Sequence, residues 1–266
     1  MKPKVHFITY GDKKKYSIST QHIICLANES NFFETCKSYT KNDLSYDFIK
    51  KYQNILSQER GGGFYLWKPW IIKNALDEVN NNEFIVYSDS GSSFNYYAKK
   101  RFFEYIDMLS DSEFGNFRFE NPKKFLEKHW TSKKLFDYFN LEFDSNEGNS
   151  PQLMGGHLIF QKNDHTDNFL NEFFKIIDHD HDLITDNYGN SELKNFQENR
   201  HDQSILSLLT KSLGGVFVEN ETFFSPNSEK QKSYPFLSVR NYGHGTRDKI
   251  KFKLNLKNIK KTPVYF

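Results

Sequence analysis

Residues 61–70, G-G-G-F-Y-L-W-K-P-W, and residues 84–91, F-I-V-Y-S-D-S-G, decide how the rest of the chain is read. In the second stretch Phe84 to Tyr87 stand between the polar Asn80 to Asn82 and the turn-forming Ser88-Asp89-Ser90-Gly91. That is the pattern of a short buried strand with a polar exit. Between the two stretches Pro69, a residue favoured in a first helical turn, opens a helical repeat carrying Ile71, Ile72, Ala75 and Leu76. If Phe84 to Tyr87 is a central strand, Asp89 lies beyond its carboxyl end, where open α/β sheets bind ligands.

Working outward, Val5 to Tyr10 reads as a first buried strand that ends in Gly11-Asp12 and a basic loop at Lys13 to Lys15. A second strand is expected at His22 to Leu26. From Asp43 a helical face of Leu44, Phe48, Tyr52, Ile55 and Leu56 runs to the glycines at 61–63. Further helices are expected at Tyr96 to Leu109, Ser132 to Phe139, Thr166 to Ile177 and Asp202 to Leu213, with strands at Leu153 to Gln161 and Val216 to Glu219. This alternation predicts an α/β protein. Asp182 to Arg200 is polar and aperiodic, a candidate mobile loop or acceptor-facing lid.

The chain of 266 residues fits one domain, and with 37% apolar and 17% aromatic residues its core must draw heavily on Phe and Tyr. A net charge of +2 gives no general field for nucleic acid or membrane. The exception is Arg247 to Lys261, with seven bases and one acid. There Lys249 to Leu256 alternates polar and apolar residues, as an edge strand guarded by lysines or a surface-binding segment would. Cys25 and Cys36 are read as buried thiols in a reducing compartment. Met1 to Gly11 lacks a signal-peptide pattern, and no apolar run approaches the roughly 20 residues that span a bilayer. A cytoplasmic location is therefore expected, and the sequons at Asn28 and Asn220 are chance matches.

A carboxylate at Asp89 can hold a divalent cation against a diphosphate, the three glycines admit close backbone approach, and Lys68 offers a point charge for phosphate. The plainer reading makes the glycines a helix stop and Asp89 a turn former. Asp202 stands where a carboxylate caps a helix, yet His201-Asp202-Gln203 also groups the paired donors and acceptors that sugar hydroxyls need. The run Asp178 to Asp182, D-H-D-H-D, does not converge on a metal, because adjacent helical positions point different ways. His6, His22, His129 and His165 are isolated and read as structural or exposed and not catalytic. Trp67, Trp70 and Trp130 read as core, with Trp67 also placed to line a donor pocket. No phosphate-binding Walker loop, dinucleotide fingerprint, zinc finger or nucleophile elbow is present.

A strand leading into Y-S-D-S-G resembles the D-x-D region of GT-A glycosyltransferases, and the upstream W-K-P resembles their donor-side sequence. Met154-Gly155-Gly156-His157 extends the likeness, and Arg200 to Leu206, R-H-D-Q-S-I-L, is similar to the D-Q-x-x-L segment of bacterial sugar transferases and glycogenin-like enzymes. Asn241 to Arg247 is similar to their late histidine segment. In that order these segments span residues 5 to 247.

The resemblance implies a GT-A, Rossmann-like mixed open sheet flanked by helices. It implies one domain over residues 1–266, with a donor nucleotide-binding half at 1–115 and an acceptor-side half at 116–266. The donor is a nucleotide diphosphate sugar of the UDP-sugar type, the acceptor a glycan, polysaccharide or lipid-linked sugar, and the cofactor Mn2+ or Mg2+. Asp202 and Gln203 take the catalytic places. Tyr10, near the base, is joined in donor binding by Trp67, Lys68, Asp89, Ser90, Gly155, Gly156 and Arg247, and Asp89 and His244 would hold the metal. One departure matters: Gly91 stands where the second D-x-D carboxylate belongs. No nucleic acid partner is expected, and the basic C-terminus could touch a membrane peripherally. Two rivals stay open, a non-catalytic sugar- or nucleic-acid-binding protein and a sugar nucleotidyltransferase. For the latter, Tyr10-Gly11-Asp12-Lys13 is a poor phosphate loop.

Overall fold

The structure, a computed structural model, describes residues 3–12, 16–189, 191–223 and 233–238. Its strands are Val5–Tyr10 (β1), Thr35–Tyr39 (β2), Phe84–Ser88 (β3), Ser93–Phe94 (β4), Asn116–Phe119 (β5), His157–Gln161 (β6), Val216–Val218 (β7) and Phe236–Leu237 (β8). The main sheet has the order β2-β1-β3-β6-β5-β7, and β4 pairs with β8 apart from it. β1 is parallel to β2 and β3, β5 is parallel to β7, and β6 runs antiparallel to both of its neighbours. The expected mixed α/β sheet is therefore present, with one reversed strand at its centre.

The longer helices are Ser17–Ser30 (α1), Trp67–Asp77 (α2), Lys99–Ser110 (α3), Asp164–His179 (α4) and Asp202–Leu213 (α5). Along β1 the side chains alternate between two apolar clusters. Ile8 and Tyr10 join α2, α4 and α5 on one face, while Val5 and Phe7 join α1 and α3 on the other. Aromatic rings carry much of the second cluster: Phe94, Phe102 and Phe236 meet at centroid distances of 5.6–6.1 Å.

Several local expectations are corrected. His22 to Leu26 is not a strand but the middle of α1, whose buried residues Ser19, His22, Ile23, Leu26 and Ser30 recur at helical spacing. The long helix expected from Asp43 is broken into Tyr46–Lys51 and Gln53–Leu56 at Tyr52, where φ is −111° and ψ 26°. The strand expected from Leu153 begins only at His157; Leu153 itself makes an isolated bridge with Glu120. Cys25 and Cys36 are unpaired and only half-buried.

The candidate lid at 182–200 is irregular but tied down. Leu183 and Ile184 are buried, the Asn199 amide donates to the carbonyls of Leu183 and Thr185, and Arg60 pairs with Asp186 and Glu198. Several of its polar side chains, Asp186, Glu198 and Asn199 among them, are spent on cross-links. Among the described residues no helix is long and apolar enough to cross a membrane. His244, Arg247 and the Lys249 to Leu256 alternation lie outside the described residues.

Candidate active site

Three segments converge at the carboxyl end of β3: the start of α2, the turn after β3, and the start of α5. Lys68 sits in the first turn of α2, and its side chain is 4% exposed. Its Nζ donates to the Gly155 carbonyl at 3.0 Å, lies 2.8 Å from Asp202 Oδ2 and 3.6 Å from Asp89 Oδ1. The rings of Tyr65 and Tyr87 flank it, each with its centroid 5.2 Å away. A buried ammonium needs such a shell, because burial alone disfavours its charge. Burial pulls the Lys68 pKa down, and Asp202 and Asp89 together more than offset it, so the amine stays protonated above its ordinary range.

The two carboxylates differ in their access to water. Asp89 is 48% exposed, whereas Asp202 is 3% exposed and fully inside. Burial pushes Asp202 up to about 6, with Lys68 opposing the shift and Asp89 adding to it. Asp89 is fixed from two sides: the Tyr87 hydroxyl donates to its Oδ1 at 2.7 Å, and its backbone N–H donates to the Gly156 carbonyl at 2.9 Å. The Tyr87 phenol, buried and beside Asp89, is held far above its usual range and remains a donor. Ser90, expected among the donor contacts, is buried in the turn next to Asp89.

Close approach requires glycine at 155 and favours it at 156. A Cβ on Gly156 would stand 3.2 Å from Asp89 Oδ2, and one on Gly155 would stand 2.9 Å from Gln203 Cβ. Gln203 has both ends of its amide engaged: Oε1 accepts the Gly155 N–H at 3.1 Å and Nε2 donates to Gln152 Oε1 at 2.5 Å. Gln152 is held in turn by the fully buried Glu127 at 3.1 Å, and Glu127 pairs with Lys211 at 2.7 Å. Gln203 thus anchors the Gly155 backbone and does not present a free sugar clamp. Asp202 is the first residue of α5 and not its N-cap, which is His201 and makes no side-chain cap bond; the Asp202 carboxylate is held by Lys68 and by the Gln203 backbone N–H.

Tyr10 and Trp67 stack at 3.8 Å with 14° between their planes, and the Trp67 indole donates to the Gly61 carbonyl at 2.9 Å. Tyr10 also lines a cleft of about 180 Å³ with Asp12, Lys41, Leu44, Leu56 and Gly62. Of the sequence-nominated residues, the structure therefore brings together Lys68, Asp89, Ser90, Gly155, Gly156, Asp202 and Gln203, with Tyr10 and Trp67 adjoining through the stack. Lys68 departs from its expected part, since its charge is turned to carboxylates and not offered to solvent.

Sequence reasoning missed Tyr65, Tyr87, Gln152, Glu127 and Arg118. Arg118, on β5, is completely buried over the rings of Phe160 and Phe169, and burial lowers its pKa to about 9 against the pull of Asp202. Tyr65 and Tyr87 stand inside the two motifs without being marked as site residues, Arg118 is signalled by a charge in an apolar strand, N-F-R-F, and no local pattern marks Gln152 or Glu127. The D-H-D-H-D run is spent on surface pairs, Asp178 with Lys51 and Asp182 with Lys134. Among the described residues no group of three or more His, Cys, Asp and Glu side chains could hold a metal.

The fold matches solved structures over nearly its whole length. One is a glycosyltransferase involved in the glycosylation of the major capsid of PBCV-1, with a TM-score of 0.53 and 13% identity over 95% of this chain and 100% of that one. Another is the bifunctional glycosyltransferase WbbM, with a TM-score of 0.53 and 13% identity over 99% of this chain; here the match spans 50% of the longer protein. No family model matches the sequence, and no curated protein matches it. The likeness establishes a GT-A glycosyltransferase fold.

Proposed function

We propose that this chain transfers a sugar from a nucleotide diphosphate sugar, of the UDP-sugar type, to a glycan, polysaccharide or lipid-linked acceptor. The observation that carries this reading is the Lys68 ammonium shared between Asp89 and Asp202, under Gly155-Gly156 and beyond the carboxyl end of β3 in a GT-A fold. A structural ion pair needs one carboxylate. Here a second one is kept half in water, against a glycine that leaves it room.

Glycosyl transfer breaks the bond from the anomeric carbon to the diphosphate, so the site must accept charge on the departing group. Asp89 is suited to hold Mn2+ or Mg2+: such ions take as little as one carboxylate and complete their shell with phosphate oxygens and water. A cation there would neutralise the leaving diphosphate. Tyr87 and the Gly156 carbonyl fix Asp89 in place. The stacked Tyr10 and Trp67, beside the cleft at Asp12 and Lys41, offer a surface for the base. Asp202 is covered, so its part is to position Lys68 and, through it, Asp89; the same carboxylate would also steady positive charge developing on the sugar above it.

The test is release of UDP from a panel of UDP-sugars by the purified chain with Mn2+, without acceptor. Slow release that depends on Asp89 supports the reading. No release, and no binding of any nucleoside diphosphate, overturns it in favour of a non-catalytic binder.

A further inference from the structure

Five consecutive residues, Gly61 to Tyr65, have positive φ: 59°, 61°, 97°, 51° and 62°. This is a left-handed turn immediately before α2. Glycine adopts it freely, but an L side chain pays about 1–2 kcal/mol at each position, and Phe64 and Tyr65 both do so. The turn is nevertheless well held. Phe64 N–H donates to the Arg60 carbonyl at 2.7 Å, Leu66 N–H to Gly63 at 3.0 Å, and Lys68 N–H to Tyr65 at 2.9 Å. The Phe64 ring is buried against His201 at 4.7 Å, and His201 itself has a positive φ of 55° one residue before Asp202.

The result of this strain is the placement of one ring. Phe64 goes inside, whereas Tyr65 stays 36% exposed, over Lys68 Nζ and 6.2 Å from the Trp67 ring. Gly61 is cut away for it: a Cβ there would stand 2.5 Å from the Tyr65 ring. A ring needed only for packing would follow Phe64 into the core. Backbone strain held by the surrounding structure beside the charged cluster of Lys68, Asp89 and Asp202 points to function.

Resting on the glycosyltransferase reading above, we propose that Tyr65 is the surface on which the transferred sugar ring of the donor packs. A pyranose offers a C–H face to the electron-rich face of an aromatic ring, and its rim hydroxyls then meet the acceptors gathered around Lys68. Tyr65 is in this account a specificity-determining residue for the sugar, independent of nucleotide and cation.

The experiment uses the full chain with Mn2+ and calorimetry. The probes are UDP and whichever of UDP-glucose, UDP-galactose and UDP-N-acetylglucosamine binds best. Tyr65→Asn removes the ring while tolerating the left-handed backbone, and Tyr65→Phe keeps the ring. The expected result for Tyr65→Asn is a loss of about tenfold in affinity for the UDP-sugar, with UDP changed by less than about twofold. Tyr65→Phe should match wild type on both. Equal weakening of both ligands by Tyr65→Asn, or unchanged UDP-sugar affinity, overturns the proposal and leaves the glycosyltransferase reading standing. Failure of wild type to bind UDP and all three sugars removes both. Should Tyr65→Asn fail to fold, Tyr65→Gly, which also removes the ring and adopts the left-handed backbone freely, must show the same selective loss, and its absence is equally decisive.

Discussion

Lys68 and Asp202 are each other's charge partner in the interior: 2.8 Å separates Nζ from Oδ2, and neither side chain is more than 4% exposed. Removing Lys68 would leave Asp202 buried without a cation, at a cost of about 3–5 kcal/mol. Lys68→Met should therefore lower stability by that order in urea unfolding at neutral pH. Asp202→Asn added to Lys68→Met should recover much of the loss, and Asp202→Asn alone should cost less, because Asp89 still faces Lys68. Equal or additive losses in the double variant would show that the two residues are not coupled.

The same pair sets a pH dependence. Asp202 titrates near 6 in the folded chain against 3.8 ordinarily, so turnover should rise with pH through about 6 as its carboxylate ionises. The folded state binds this proton more tightly than the unfolded one. The contribution of Asp202 to stability is thus fully present below about 4 and lost as pH rises to about 6. Asp202→Asn should remove the limb in the pH profile and lower turnover by roughly a hundredfold. A limb that persists in the variant belongs to another group.

Asp89→Ala should abolish Mn2+-dependent binding of a nucleoside diphosphate while the fold survives, because Asp89 is the half-exposed carboxylate of the site. Calorimetry with UDP, with and without Mn2+, measures it. Wild-type affinity in the variant would remove Asp89 from the donor site.

Gly156→Ala tests positioning without touching charge. Its new methyl would come within 3.2 Å of Asp89 Oδ2, so the carboxylate must give by a few tenths of an ångström. Turnover should fall by roughly tenfold to a hundredfold, the scale of a small misplacement in a reacting site, with little change in Tm. Full activity would mean that Asp89 moves freely in the working enzyme.

The sequence made the strands legible wherever turn residues bracketed a short apolar run, as at Val5 to Tyr10 and Phe84 to Tyr87. It also marked Asp89, Gly155, Gly156 and Asp202 by their motifs. It failed at α1, where Ile23 and Ile24 beside His22 read as β-branched strand, although the buried face recurs at helical spacing. It failed differently at Lys68. A lysine before a proline carries no sign of burial, and its two carboxylate partners come from distant segments, so only the folded chain reveals that its charge is spoken for. The left-handed course of Tyr65 is equally invisible, because G-G-G announces freedom without saying how a following aromatic uses it.

The reversed strand at the centre of the sheet bears on how the protein is made. β3 pairs on one side with β1, already synthesised, but on the other with β6, which follows some seventy positions later. Until His157 to Gln161 leave the ribosome, a strand that is wholly buried in the folded chain has one open edge, the situation in which nascent chains pair wrongly or recruit chaperones. A fragment ending near Gly115 should accordingly precipitate when expressed alone. The first three strands of the sheet cannot mature ahead of the rest, and the cluster of Lys68, Asp89 and Asp202 comes into being only when nearly the whole sheet has been translated.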